Sequence, residues 1–330
     1  MPSTVLDVTA VAVGIIENAQ HQVLVAQRPE HKHQGGKWEF PGGKIHAGEA
    51  VTEALARELH EELGITLRAA CPLQRVRHVY PDKRVLLDVW RVTEYTGEPH
   101  GREGQPLRWV TPQALASLDL PAADLPIVRT LQLPPLYLIT DSRRYGKTGM
   151  LVLIERALAA GARLLQVREP QMSTDEYTEF ACTVTELAHR YDARVLLNTE
   201  PSVVAACGAD GLHLSSHRLM ALQERPLSQA CLVAASCHDI AELVQASRIG
   251  TDFAVLSPVL PTATHPHATP LGWDGFLRVR MHSEVPVYAL GGMLPEHLLE
   301  ARAMGAQGLA MIQGLWEASS VELAVETVLR

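Results

Sequence analysis

The chain has 330 residues, 47% of them hydrophobic, and a formal net charge of -8. That length exceeds what one core ordinarily supports, so two domains are expected, and the acidic balance argues against stable binding to duplex nucleic acid. No apolar run reaches the length of a membrane span, and MPSTVLDVTA lacks the basic-then-apolar pattern of a secretory signal. The scattered Cys71, Cys182, Cys207, Cys231 and Cys237 are expected as reduced thiols of a cytoplasmic protein.

In chain order, VTAVAVGII and HQVLVAQRP run apolar on either side of ENAQ, which predicts two paired strands around a turn. Thr52 to Leu63 carries Ala54, Leu55 and Leu59 at helical spacing. VRHVYPDKRVLLDVWRVTEY predicts two more strands joined at a Pro-Asp turn, and a short helix is expected over Ile127 to Leu131. LQLPP is the expected boundary, because adjacent prolines end a helix and stiffen a connection, which divides the chain into 1–132 and 133–330. Beyond it, LYLIT, RLLQVRE, RVLLNT, GLHLSS, LVAASC, FAVLSPV, VPVYAL and GLAMIQG are short apolar runs separated by helical patterns. Strand-helix units in that number predict a closed (β/α)8 barrel.

PGGKIHAGEAVTEALARELHEELGI concentrates the chemistry of the first part. On a helix, Glu58, Glu61 and Glu62 share one face, where like charges cost a few tenths of a kcal/mol per pair. A divalent cation reverses that sign, and Mg2+ takes hard oxygen ligands. Gly42 and Gly43 permit a tight turn that aims a carbonyl at the same ion, Gly64 suits the helix end, and Arg57 can orient a carboxylate.

Gly43, Glu49, Arg57, Glu58, Leu59, Glu61, Glu62, Gly64 and Ile65 match the Nudix box G-x5-E-x7-R-E-U-x-E-E-x-G-U without a gap, U being aliphatic. With AVGIIENAQHQVLVAQRP, GGKWEFPGGKI and GEPHGREGQPLRWV, this stretch resembles the MutT-type Nudix hydrolases, whose members hydrolyse oxidised purine nucleoside triphosphates. The resemblance implies an α/β/α sandwich over 1–132 that binds Mg2+, with Mn2+ as substitute, through Gly42, Glu58, Glu61, Glu62 and Glu103. It implies attack of water on phosphorus, releasing pyrophosphate and a nucleoside monophosphate in nucleotide-pool sanitation, a branch of DNA repair. Glu58 is carried over as ligand, Glu62 or Glu103 as the group assisting water, and Arg57, Lys44 and Arg28 as orienting or phosphate-contacting bases. Phe40 resembles the residue flanking the purine. Asp124 in PAADLPIV stands where the branch carries Asn. Asn both donates and accepts, whereas an ionised Asp only accepts, so Asp124 is expected to be neutral and donating to the O6 of 8-oxoguanine.

QVRE, GLHL, SCH, SPVLPTATH, ALGGM and GLAMIQG make residues 133–330 resemble thiamine-phosphate synthase and its thiazole tautomerase relatives. The resemblance implies a phosphate cradle of Gly291, Gly292, Gln313 and Gly314 and a ligand site of Gln166, Arg168, Asn198, His213, Ser236, His238, Thr262 and Thr264. Two metal-binding carboxylates of that family are replaced by Thr199 and by Arg218 (or His217 if the loop slips by one), a basic residue by Pro170, and a lysine by His265. A degenerate barrel is therefore expected, binding a thiazole or thiamine phosphate, or moving a proton with His213 or His238. His265 and His267 alone are too few for a metal site. Two rival readings stay open: a first domain acting on a thiamine-pathway diphosphate, and a barrel that only senses a ligand or serves as scaffold.

Overall fold

Period-two alternation along the first strand sets the layers of the N-terminal unit. In β1 (Val8–Ile16), Ala12 and Ile16 join one core cluster while Val13 and Ile15 join another. The computed structural model describes residues 8–30, 34–262 and 268–329. The chain divides into two compact units, Met1–Gln132 and Leu133–Arg330.

In the first unit, β2 (Val23–Gln27), β3 (Trp38–Glu39) and β4 (Gly42–Lys44) precede the long helix α1 (Val51–Leu63). Then come β5 (Thr66–Val79), β6 (Arg84–Thr96), β7 (Leu107–Val110) and α2 (Leu125–Leu131). One sheet has the order β4-β1-β6-β5 and the other β3-β2-β7. β1 runs parallel to β6 and antiparallel to β4. The expected pairing of the first two strands is corrected: β1 and β2 lie in different sheets and touch through a single bridge, Glu17–Val23. Each finds more edge to satisfy with a distant strand than across the short ENAQ turn.

Leu55, Leu59 and Leu63 of α1 are fully buried, each worth about 1.5–3 kcal/mol of transfer free energy. Gly14 admits that helix: a Cβ there would lie 3.2 Å from Leu55 Cδ1. Ile127 and Val128 of α2 pack in the opposite cluster, with Val13, Ile15 and Phe40. The result is the α/β/α sandwich with mixed sheets.

The second unit opens with β8 (Leu136–Ile139), where Tyr137 and Ile139 point inward and Leu136 and Leu138 meet the helical shell. It continues through β9 (Leu164–Val167), β10 (Arg194–Leu197), β11 (Gly211–Leu214), β12 (Leu232–Cys237), β13 (Phe253–Leu256), β14 (Val287–Ala289) and β15 (Gly308–Met311). These parallel strands close in sequence order, β15 pairing with β8, into an eight-stranded barrel of the TIM type. Tyr137, Phe253 and Tyr288 fill its axis, Phe253 edge to face with both tyrosines, with ring centroids 5.1 to 5.8 Å apart. Around it, α3 (Ser142–Ala159) turns at Gly146, φ 69, and α4 (Thr174–His189) is capped by Ser173 and Glu176. α4 packs on α5 (Pro201–Cys207), where Cys182 and Cys207 form a disulfide with Cα atoms 4.5 Å apart. This corrects the expectation of five free thiols: helix packing joins cysteines 25 residues apart. Among the described residues no helix is long and apolar enough to cross a membrane.

Candidate functional site

In the first unit, α1 carries its glutamates toward the turn made by β4. Glu58 lies against the backbone of Gly43, so close that a Cβ there would sit 2.1 Å from the Glu58 Cδ. Glycine is required at 43 by this approach, and at 42 by a φ of 147 and a Cβ position 2.1 Å from the Ala12 carbonyl oxygen. The Gly42 N–H donates to Glu62 Oε2 at 3.2 Å. Arg57 donates to Glu58 Oε1 at 2.7 Å, to both oxygens of Glu49 at 2.9 and 3.0 Å, and to the Lys44 carbonyl at 3.0 Å. These bonds hold the Glu49 carboxyl down at about 2 and push the Arg57 guanidinium up.

The C-terminal turn of α1 ties down the loop that bears Glu103. The Glu62 carbonyl accepts from Arg102 N at 3.0 Å and Gln105 Nε2 at 2.9 Å, and Gln105 Oε1 accepts from Glu103 N at 2.9 Å. Burial pushes the Glu62 carboxyl up to about 7, reinforced by Glu39, Glu58 and Glu103 and opposed by the Gly42 N–H. Glu39, Glu58 and Glu103 thus all act electrostatically on Glu62. Glu61 stands apart, 58% exposed, with Arg57 at 3.7 Å, and Lys44 is exposed, its carbonyl accepting from Arg57. Among the described residues no three His, Cys, Asp or Glu groups are gathered into a finished metal cage. The donor set nevertheless fits a hard divalent cation: carboxylates converge on a glycine turn at an electrostatic cost that a cation removes.

Beside this acidic group, Arg28 on the β2 end pairs with Glu39. Phe40 is buried in the sheet core. Asp124 is 7% exposed, and burial, with Glu39 adding and Arg28 opposing, pushes its carboxyl from 3.8 up to about 8. Tyr80 O–H accepts from Ala123 N at 3.3 Å and so fixes the turn that presents Asp124. Sequence reasoning missed Glu39 and Tyr80. Glu39 was legible as the residue before Phe40 in EFPGG, and Tyr80 as the residue before the Pro-Asp turn.

In the barrel, a buried hydrogen-bonded chain crosses the strand ends. His213 Nε2 lies 2.8 Å from Ser236 Oγ, and its Nδ1 lies 3.0 Å from Tyr137 O–H. Asn198 Nδ2 donates to Gln166 Oε1 at 3.2 Å, and the Tyr137 hydroxyl is also held by Gln166. Burial, with Arg168 adding, pushes His213 down to about 3, so the imidazole is neutral. His238 is turned away to Glu242, 2.9 Å distant on the helix Ile240–Ile249. Thr262, Gly291, Gly292, Gln313 and Gly314 line one cavity of about 360 Å3. Gly291 and Gly292 have φ of 98 and 66, and a Cβ at Gly292 would lie 2.5 Å from the Pro261 carbonyl oxygen. Thr264, with His265 and His267, falls outside the described residues. At the positions of the missing carboxylates, Arg218 donates to the Thr199 carbonyl and, at 2.6 Å, to Glu200. A guanidinium already satisfies those oxygens, so a divalent metal does not fit there.

The fold is an α/β/α sandwich with an acidic glycine turn, followed by a closed eight-stranded barrel with a glycine-lined cavity. The NUDIX domain family model matches residues 12–130, and the thiamine monophosphate synthase model matches residues 136–315. The chain is 38% identical over 122 residues to the 8-oxo-dGTP diphosphatase of Escherichia coli, covering 37% of this chain and 95% of that one. It is 30% identical over 190 residues to the thiamine-phosphate synthase of Chloroflexus aurantiacus, covering 57% and 88%. The solved thiamine phosphate pyrophosphorylase of Pyrococcus furiosus aligns with a TM-score of 0.50 at 27% identity, over 58% of this chain and 92% of that one. The chain belongs to the Nudix family through its first unit and to the thiamine monophosphate synthase family through its barrel, and it is an enzyme.

Proposed function

We propose that residues 1–132 hydrolyse oxidised purine nucleoside triphosphates, 8-oxo-dGTP foremost, to the monophosphate and pyrophosphate, in nucleotide-pool sanitation. The observation that carries this is the approach of Glu58 and Glu62 to the Gly42–Gly43 turn, with Glu103 adding to the field at Glu62, beside a buried, protonatable Asp124. Gly42, Glu58, Glu62 and Glu103 would hold Mg2+ or Mn2+, with Glu61 swinging in from its exposed position. The bound ion supplies charge neutralisation of the triphosphate oxygens. Arg57, anchored by Glu49, keeps the Glu58 carboxylate in place. Glu62 or Glu103 accepts the proton of the water that attacks phosphorus. Arg28 and Lys44 face phosphate. Phe40 walls the purine, and neutral Asp124 donates to its O6 while its carbonyl oxygen accepts from N7–H.

The barrel, in this reading, binds a thiazole or thiamine phosphate in the cradle of Gly291, Gly292, Gln313 and Gly314, and metal-dependent synthesis is absent because Arg218 fills the cation position. The test is turnover of a nucleotide panel by the full chain with Mg2+, Mn2+ or chelator, beside Glu58→Gln. Metal-dependent preference for 8-oxo-dGTP over dGTP supports the reading; equal rates on both defeat it. The barrel's own family favours a second reading, in which the first unit hydrolyses a thiamine-pathway diphosphate. A pyrimidine diphosphate turned over faster than 8-oxo-dGTP selects it. Calorimetry with thiamine phosphates separates a ligand-binding barrel from a scaffold.

A further inference from the structure

The disulfide between Cys182 and Cys207 lies among the outer helices, and neither candidate site uses it. The chain does not need it as a scaffold: large cores already organise both units, and Cys71, Cys231 and Cys237 stay as free thiols. Cys71 and Cys237 are buried, and burial pushes the Cys237 thiol well up, which makes it inert. Cys182 and Cys207 are each only half-buried, so a reagent in solvent can reach the pair.

α5 is the element that the bond restrains. It has seven residues, and Val204 is the buried one among them. Beyond that burial it is fastened at both ends. At its start Arg218 donates to the Thr199 carbonyl and, at 2.6 Å, to Glu200. At its end Cys207, the last helical residue, is bonded to Cys182 in the middle of α4, and Gly208 then turns the chain at φ 62. A reduced Cys207 also has a resting place. Its Sγ lies 3.5 Å from the carbonyl oxygen of Thr178, one turn before Cys182 on α4, where a thiol S–H finds an acceptor. Both redox forms are therefore compatible with one fold and differ by one covalent tie.

We propose that Cys182 and Cys207 form a reversible redox modification site, opened by dithiols and closed by low-molecular-weight disulfides, that sets how firmly α5 is held to α4. In opening, a thiolate of the dithiol attacks one sulfur, the Cys182–Cys207 bond breaks, and the other sulfur leaves and takes a proton. The second thiol of the reagent then displaces the first cysteine, so the pair gains two electrons and two protons and the reagent becomes a disulfide. In closing, the two thiols give the same electrons and protons to a low-molecular-weight disulfide, which departs as two thiols. The inference is independent of the hydrolase reading of the first unit and of the phosphate reading of the barrel.

The test equilibrates the full native chain in dithiothreitol or in oxidised glutathione, then reads peptide maps and amide hydrogen exchange. The peptides bearing Cys182 and Cys207 should be linked after oxidised glutathione, separate after dithiothreitol, and linked again on return to the oxidant. Amides of residues 204–209 should exchange about tenfold or more faster in the reduced chain. The parent's two redox forms carry that comparison without a substitution. The double variant Cys182→Ser with Cys207→Ser should exchange at the reduced parent's rate in both buffers. A glutathione adduct in place of the link, a link that dithiothreitol leaves intact in the native chain, or exchange at 204–209 unchanged by reduction overturns the latch. So does a double variant whose exchange still responds to the buffer as the parent's does.

Discussion

The first unit lines its candidate site with carboxylates, whereas the barrel mouth presents guanidinium groups. Both readings concern phosphate esters, yet the physics differs in sign. Burial and the repulsion of Glu39, Glu58 and Glu103 together raise the Glu62 carboxyl to about 7, and the same negative charge opposes an incoming polyphosphate unless a cation offsets it. At the barrel mouth Arg218 closes on Thr199 and Glu200, a guanidinium where the resembled synthase has a carboxylate. On these readings chelator should silence the first site while sparing the second.

The largest effect that tests this contrast is Glu58→Gln. Loss of one carboxylate from the acidic site should lower turnover of 8-oxo-dGTP by roughly a thousandfold, about 4 kcal/mol of barrier, in steady-state rates at saturating Mg2+. Phosphate binding by the barrel should be untouched. Gly43→Ala comes next. Its Cβ would fall 2.1 Å from Glu58 Cδ, displacing the carboxylate, and a loss of about a hundredfold is expected from misplacement alone. A variant with full activity would show that Glu58 need not rest on that turn.

Asp124→Asn acts through pH. With the carboxyl at about 8 in the folded chain, the proton is held at neutral pH and lost above 8. Preference for 8-oxo-dGTP over dGTP should fall as pH rises through about 8 in the parent and stay level in the variant, measured as the ratio of kcat/KM values. Stability follows the same sign. The folded state binds the proton more tightly than the unfolded one, so this group's contribution is full below 3.8 and lost as pH rises through about 8. Asp124→Asn should accordingly gain on the parent across that window in denaturant midpoint. The smallest effect is Tyr80→Phe, which removes the 3.3 Å bond to Ala123 N and should cost about 1 kcal/mol, read as a few-fold loss of the same preference.

The sequence made the acidic site legible because its parts are local. Glu58, Glu61 and Glu62 belong to one helix, and helical spacing alone puts them on one face. The barrel strands were legible as apolar runs because parallel strands are buried on both sides. What stayed hidden depends on distant approach. β1 and β2 are neighbours in sequence but join different sheets, a choice made by their distant partners β6 and β7. Cys182 and Cys207 meet only because α4 packs on α5. Glu39 influences both Asp124 and Glu62 only once β3 lies beside them.

The helix end at Glu62 has a mechanical consequence. Its side chain reaches the glycine turn while its carbonyl oxygen anchors Arg102 and Gln105, which in turn steady Glu103. The two carboxylates are thereby positioned through one residue, so a substitution that moves the end of α1 should shift both.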